Sequence, residues 1–201
     1  MMNVRTPRDG GLADAPMLGD HLAMDLLNTE ARNNGERVEY WNSGDDVLKW
    51  LERYGVVPAS GGKAVDLDEL LAQGMALRAL ARRLIVQRKE DEAGDVSGLN
   101  EYLHAYLSAP HLERDSERKL VLTRAARGEA IASLLGPVAE AVAQLLVDGN
   151  FTLVKQCEHP DCILWFYDRT KARKRRWCSM ASCGNRHKAA QFRKRSSGET
   201  A

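Results

Sequence analysis

A mainly α-helical domain followed by a small zinc-bound module is the fold these 201 residues predict, and three observations carry that reading. Apolar residues recur at helical spacing through most of the first 150 residues. All four cysteines fall in the last quarter as two evenly spaced pairs, Cys157 and Cys162, then Cys178 and Cys183, in the pattern C-x4-C-x15-C-x4-C. Charge is split to match: residues 151–201 hold 12 Lys and Arg against 4 Asp and Glu, leaving 17 against 24 in residues 1–150. The formal net charge of +1 hides a basic tail joined to an acidic body.

Residues 1–150 have the length of one domain, enough to bury a core. Helical periodicity predicts helices over 21–30, 45–54, 67–87, 97–107 and 129–147. Asp20, Asp45, Asp66 and Ser97 suit N-caps, and Gly55 and Gly149 suit helix ends. Gly136-Pro137 should kink or split the last helix, because proline removes an amide donor and clashes with the preceding turn. Residues 119–123 alternate briefly, as a lone strand would, and 57–64 and 108–116 read as linkers. Neither an internal repeat nor a transmembrane run is seen. The N-terminal charges precede no apolar segment, so a secretory signal is not expected, and a reducing, cytoplasmic and nucleoid-associated setting is.

Residues 151–201 form the second domain. Phe151 to Val154 and Ile163 to Tyr167 suggest two short strands with the first cysteine turn between them, a β-hairpin, followed by a helix from about Gly184 to Arg195. A thiolate pair across each of two turns can close a tetrahedral shell around one cation, and soft sulfur ligation favours Zn2+. Disulfides do not suit the compartment, neither pair has the C-x-x-C spacing of a redox site, and buried free cysteines need no such regularity. His159 and His187 are alternative ligands. Four cysteines leave no coordination position for water, so the zinc is structural. Walker, nucleophile-elbow, H-E-x-x-H and Gly-rich dinucleotide motifs are all missing, and no catalytic residue is assigned.

Twelve cations on about fifty residues call for an anionic partner. Lys155, Arg176 and Arg186 suit neutralisation of a zinc tetrathiolate, which carries a formal charge of about -2. The basic run contributes Arg169, Lys171, Arg173, Lys174, Arg175 and Arg176, and the last helix Arg186, Lys188, Gln191, Arg193, Lys194 and Arg195. These groups fit DNA phosphates and, for Arg and Gln, base edges. On the helical wheel Asn185, Ala189 and Phe192 share the side expected to face the metal. The aromatic cluster at residues 165–167 and Trp177 read as shielding for the zinc, with base stacking as the alternative.

The segment LWFYDRTKARKRRWCSMASCGNRHKAAQFRKR resembles the CGNR zinc finger, whose four naming residues stand here as Cys183, Gly184, Asn185 and Arg186. HLAMDLLNTEAR, DVLKWLERYG and LRAL resemble the ABATE domain that precedes that finger, a stress-induced transcription regulator. The resemblance implies a bacterial DNA-binding regulator with an N-terminal sensing or interaction domain and a treble-clef-like finger.

His21, Asp25 and Asn28 share one face of the first helix. With Arg78 they form either a structural ion-pair cluster or a pocket for a small-molecule effector. One short reading helix rarely binds tightly alone, so a homodimer is expected, and no membrane partner is. A finger that grips structured RNA or protein is the alternative reading.

Overall fold

The computed structural model describes residues 14–33, 35–58 and 64–196. In chain order these are α1 (Leu22–Leu27), β1 (Glu30–Asn33), β2 (Glu36–Glu39), α2 (Gly44–Glu52), α3 (Leu67–Lys89), α4 (Ser97–Ala105), β3 (Ser108–Arg114), β4 (Leu120–Ala126), α5 (Ala130–Asp148), β5 (Val154–Gln156), β6 (Trp165–Tyr167), a π-turn (Met180–Gly184) and α6 (Asn185–Ser196). Of the described residues, 47% are helical and 16% lie in strands. The strands form three antiparallel hairpins, β1-β2, β3-β4 and β5-β6. Two compact units result: residues 1–40 with 150–201, and residues 41–149. The second is therefore an insertion in the chain of the first.

In the cysteine-bearing unit, α1 is joined to the β5-β6 hairpin through a side chain. Asn28, buried at the end of α1, donates through Nδ2 to the Trp165 carbonyl at 2.8 Å and accepts the Trp165 amide on Oδ1 at 2.8 Å. A primary amide presents the same donor and acceptor pair as a peptide, so Asn28 stands in for a neighbouring strand at the edge of β6. Tyr167 N–H donates to the Gly19 carbonyl at 2.7 Å, and Asp25 Oδ1 accepts the Gly19 amide at 2.8 Å. The β1-β2 hairpin contributes Ala31 to a small core with Leu164, Phe166 and the four cysteines, flanked by Leu18, Val38, Tyr40 and Trp177. Residues 18–40 thus supply one wall of the cysteine core, through Leu18, Ala31, Val38 and Tyr40.

The β1-β2 hairpin is missing from the expectation because its strands, EARN and ERVE, are too charged to alternate. Its signal is the Asn34-Gly35 dipeptide, a hairpin turn sequence, and Gly35 adopts φ +83°.

In the other unit α3 packs on α2, α4 and α5, around Trp41, Val47, Leu51, Leu77, Leu134 and Val138. Asp66 caps α3 as expected, accepting the amides of Asp68 and Glu69. The other three expected caps shift. Asp20 lies outside α1 in the left-handed region at φ +53°, and His21 caps instead, its Nδ1 accepting Ala23 N–H. Ser43 caps α2 in a reciprocal box with Asp46, so Asp45 is already inside the helix. Ser97 is the first residue of α4, and its amide donates to the Asp95 carboxylate.

α5 runs unbroken across Gly136-Pro137 instead of splitting. A side chain at Gly136 would strike the Tyr106 ring at 2.1 Å, so the glycine is explained by close helix packing and not by a break. α5 is also long and apolar enough to cross a membrane by length and composition, which the expectation of no such run overlooked. Its buried row, Leu134, Leu135, Val138, Val142 and Leu145, lies in the core of its own unit.

The expected lone strand at 119–123 is β4, and part of the expected linker at 108–116 is its partner β3, in register from Ser108↔Ala126 to Arg114↔Leu120. Pro110 obscured β3. It is tolerated because both strands of a two-stranded sheet are edges.

Replacing Asn28 with Ala should destabilise the cysteine unit by about 1–3 kcal/mol, since two buried peptide groups of Trp165 lose their partners. Denaturant unfolding followed at Trp165 and Trp177 checks this, and Asn28→Asp should recover only the bond from the Trp165 amide.

Candidate metal centre and its basic surface

The first cysteine turn is built by β5 and β6 running out of register room. Cys157 N–H still donates to the Leu164 carbonyl, and between them Cys162 N–H closes a turn on the His159 carbonyl at 2.9 Å. The second pair is spaced by the π-turn, whose Gly184 amide reaches back to the Ser179 carbonyl at 3.0 Å. A Cβ on Gly184 would meet Met180 Sδ at 2.7 Å and Trp177 Cδ1 at 3.3 Å, so a larger residue would displace the Met180 side chain from the turn.

All four sulfurs are buried and lie within 4.8 Å of one another, with Cys162 to Cys178 at 3.8 Å and Cys178 to Cys183 at 3.5 Å. Zinc–sulfur bonds of roughly 2.3 Å in a tetrahedron require sulfurs about 3.8 Å apart, so the donor set fits one zinc ion. None of the four is in a disulfide. Packed this closely, the thiols share protons unevenly. Hydrogen bonds from Cys162 and Cys178 push Cys157 far below the usual thiol range. The bond to Cys157 pushes Cys162 up to about 12, and bonds to Cys157 and Cys162 raise Cys178. A dication replaces those protons and lets all four ionise.

Arg186 Nη2 donates to Cys183 Sγ at 3.0 Å, offsetting thiolate charge as expected. The other two cations expected in that role pair elsewhere: Lys155 with Asp168, and Arg176 with Glu158 at 2.6 Å. Neither histidine joins the cluster among the described residues. His159 Nδ1 accepts the Asp161 amide, and the His187 ring stacks 4.7 Å from Trp177.

Residues 154–196 match the CGNR zinc finger, and residues 20–149 match ABATE, described as "Putative stress-induced transcription regulator". The chain belongs to the ABATE family. No curated protein matches it. Its CGNR finger holds one structural zinc through Cys157, Cys162, Cys178 and Cys183.

The finger's basic run is an ordered loop closed by a carboxylate that sequence reasoning passed over. Asp168 is fully buried, and it accepts from Lys155 Nζ at 2.7 Å, Thr170 Oγ1 at 2.6 Å and the amides of Thr170 and Arg175. Burial by itself would raise this carboxyl, but those four donors overcome it and hold the group well below the usual carboxylate range. Lys155 also donates to the carbonyls of Arg173 and Arg175, and Arg173 sits at φ +52°. The available signal was an acid opening a run of cations, with a threonine two residues on, the pattern of an Asx turn.

Arg175 is a strut of the finger. Its guanidinium donates to the carbonyls of Leu18, Trp177 and Cys178 and to Asp20, and lies 4.1 Å from the Phe166 ring centre. Arg169, Lys171, Arg173 and Lys174 of the loop are exposed, as are Lys188, Gln191, Arg193, Lys194 and Arg195 of α6. α6 is turned from its expected setting. Arg186, His187 and Ala190 are its half-buried residues, while Asn185 and Ala189 are exposed and Phe192 is 68% exposed. The Arg186 contact with sulfur and the His187 contact with Trp177 fix this rotation, and an apolar wheel cannot register either.

The candidate pocket residues are engaged with the chain itself. His21 and Asp25 accept amides at the start of α1, Asn28 holds Trp165, and the His21 imidazole is kept below its ordinary value by burial and by Arg169. Arg78 belongs to the other unit, its guanidinium 5.4 Å from the Trp41 ring centre.

Replacing Cys178 with Ser, or chelating the metal, should unfold the finger and leave residues 41–149 helical, because structural zinc is worth about 10–16 kcal/mol in small modules. Protons compete with zinc for sulfur, so metal should be released as pH falls; metal analysis and circular dichroism between neutral and acidic pH check both. Phe192→Ala should change stability by less than about 0.5 kcal/mol, where a core phenylalanine would cost about 3–5 kcal/mol.

Proposed function

We propose that this protein is a DNA-binding transcription regulator in which zinc and Asp168 hold a basic loop and α6 as one fixed contact surface. One observation carries the reading. The exposed cations of residues 169–174 and of α6 lie on a single metal-held unit, and α6 contains no acidic residue. A charged tail that only kept the protein soluble would need neither a buried ion pair nor four cysteines to shape it. Arg169, Lys171, Arg173 and Lys174 contact phosphates, and Gln191, Arg193 and the exposed Phe192 ring meet base edges and thymine methyl groups in the major groove. Family membership supports the regulatory role. The hairpin, π-turn and helix sequence of the finger supports a treble-clef arrangement.

Residues 41–149, inserted in the chain of the finger unit, form the sensing or interaction part. The β3-β4 hairpin exposes Leu112, Leu120 and Leu122, with Leu112 and Leu122 directly opposite one another. An isolated two-stranded hairpin is marginal in water. A homodimer that covers this face would also supply the second reading helix that one short helix lacks.

Binding to paired DNA should weaken with salt at a slope of about -0.9 per phosphate contact. Reversing Lys171 and Arg173 together to Glu should lower affinity for all sequences alike and flatten that slope by about two contacts. Fluorescence anisotropy with paired DNA, and with structured RNA as competitor, measures both. Preferential competition by RNA at every salt concentration overturns the DNA reading.

A further inference from the structure

Beside the zinc site the finger unit contains an open cavity of about 520 Å3, lined among others by Thr170, Lys174, Trp177, Ser179 and Met180. The basic groups around it are not equivalent. Arg175 forms part of the wall, but its guanidinium is consumed by three carbonyls and by Asp20, which also lines the cavity. Arg176 is paired with Glu158 and lies 4.9 Å from the Trp177 ring centre. Lys174 is exposed and, among the described residues, makes no ion pair. One uncommitted positive charge therefore faces the cavity.

Its apolar side is unusual for a surface so rich in cations. Met180 is 53% exposed although it sits on the turn that carries Cys183. Trp177 is half-buried, whereas the other three tryptophans are buried. An indole and a polarisable thioether next to a single ammonium match a flat apolar ring bearing one negative charge. A nucleotide within a strand has that composition, one base for each phosphodiester charge. A free mononucleotide or triphosphate brings two to four charges, which one lysine does not neutralise.

We propose that this cavity receives one unstacked base of a DNA strand, seated against Trp177 and Met180 with its phosphate on Lys174. The assignment rests on the DNA-binding reading above and deepens it: the basic loop follows a strand, and the cavity in its path takes a base that has left the stack. Distorted or partly melted duplex is then preferred over fully paired duplex.

The test uses the full-length zinc-loaded protein and three 20-base-pair probes: fully paired, with one extrahelical thymine, and with an abasic site in place of that thymine. Contact of the base with Trp177 and Met180 should make the thymine bulge bind about tenfold tighter than the other two, with quenching of tryptophan fluorescence. Met180→Ala should abolish the tenfold preference without changing affinity for the paired probe, and Met180→Leu should restore it. Zinc content confirms that each variant retains its finger. Equal binding of the thymine and abasic bulges overturns the inference, as does millimolar AMP competing as well as the bulged strand. Failure of the paired probe to bind at any salt is a separate result, and it sinks the DNA reading itself.

Discussion

Four sulfurs buried within 4.8 Å of one another are the constraint on which the finger unit depends. Thiols so close cannot all ionise without a cation, and unionised they make a poor core, small and only weakly bonded to each other. The rest of the unit is arranged to make that cluster tolerable once metal binds. Ala31, Leu164, Phe166 and Trp177 exclude water from it, Arg186 supplies a positive charge to Cys183, and Gly184 lets the covering side chains close over the second turn. Zinc is thus the centre of a core to which both ends of the chain contribute.

Positive charge in this unit has two separable tasks. Lys155, Arg175 and Arg186 are half-buried and Arg176 is exposed, and each is engaged with a carboxylate, a carbonyl or a sulfur. Their role is to fold a loop that mutual repulsion would otherwise spread. The buried Asp168 is the counterpart of that arrangement, since one carboxylate fully satisfied by four donors can hold together a run of cations that has no other acid inside it. The other exposed cations, on residues 169–174 and the outer face of α6, are then presented in a fixed pattern.

Insertion of residues 41–149 between α1 with its hairpin and the cysteines gives the protein a connection of a particular kind. Family boundaries fall near residue 150, as a composition change does, yet the compact unit crosses that boundary. Residues 20–40 lie within the ABATE match, and Ala31, Val38 and Tyr40 among them help build the finger core. The chain passes between the two units twice, at residues 40–41 and 149–150.

The long helices were legible because their apolar faces repeat over several turns, and the metal site because cysteine spacing directly limits which sulfurs can meet. Asp66 was legible as a cap because capping is local chemistry. Asn28 was not: a polar residue on a helix reads as wet until a distant strand edge needs a peptide-like partner. Nor were the rotation of α6, the internal duty of Arg175 or the hub at Asp168, since each depends on atoms brought together from far along the chain. The sequence by itself determined the long helices, the four ligands and the separation of charge, all of which follow from local spacing and composition. Only the tertiary structure decided which cations are struts of the finger, because that depends on which acceptors folding carries within hydrogen-bond reach.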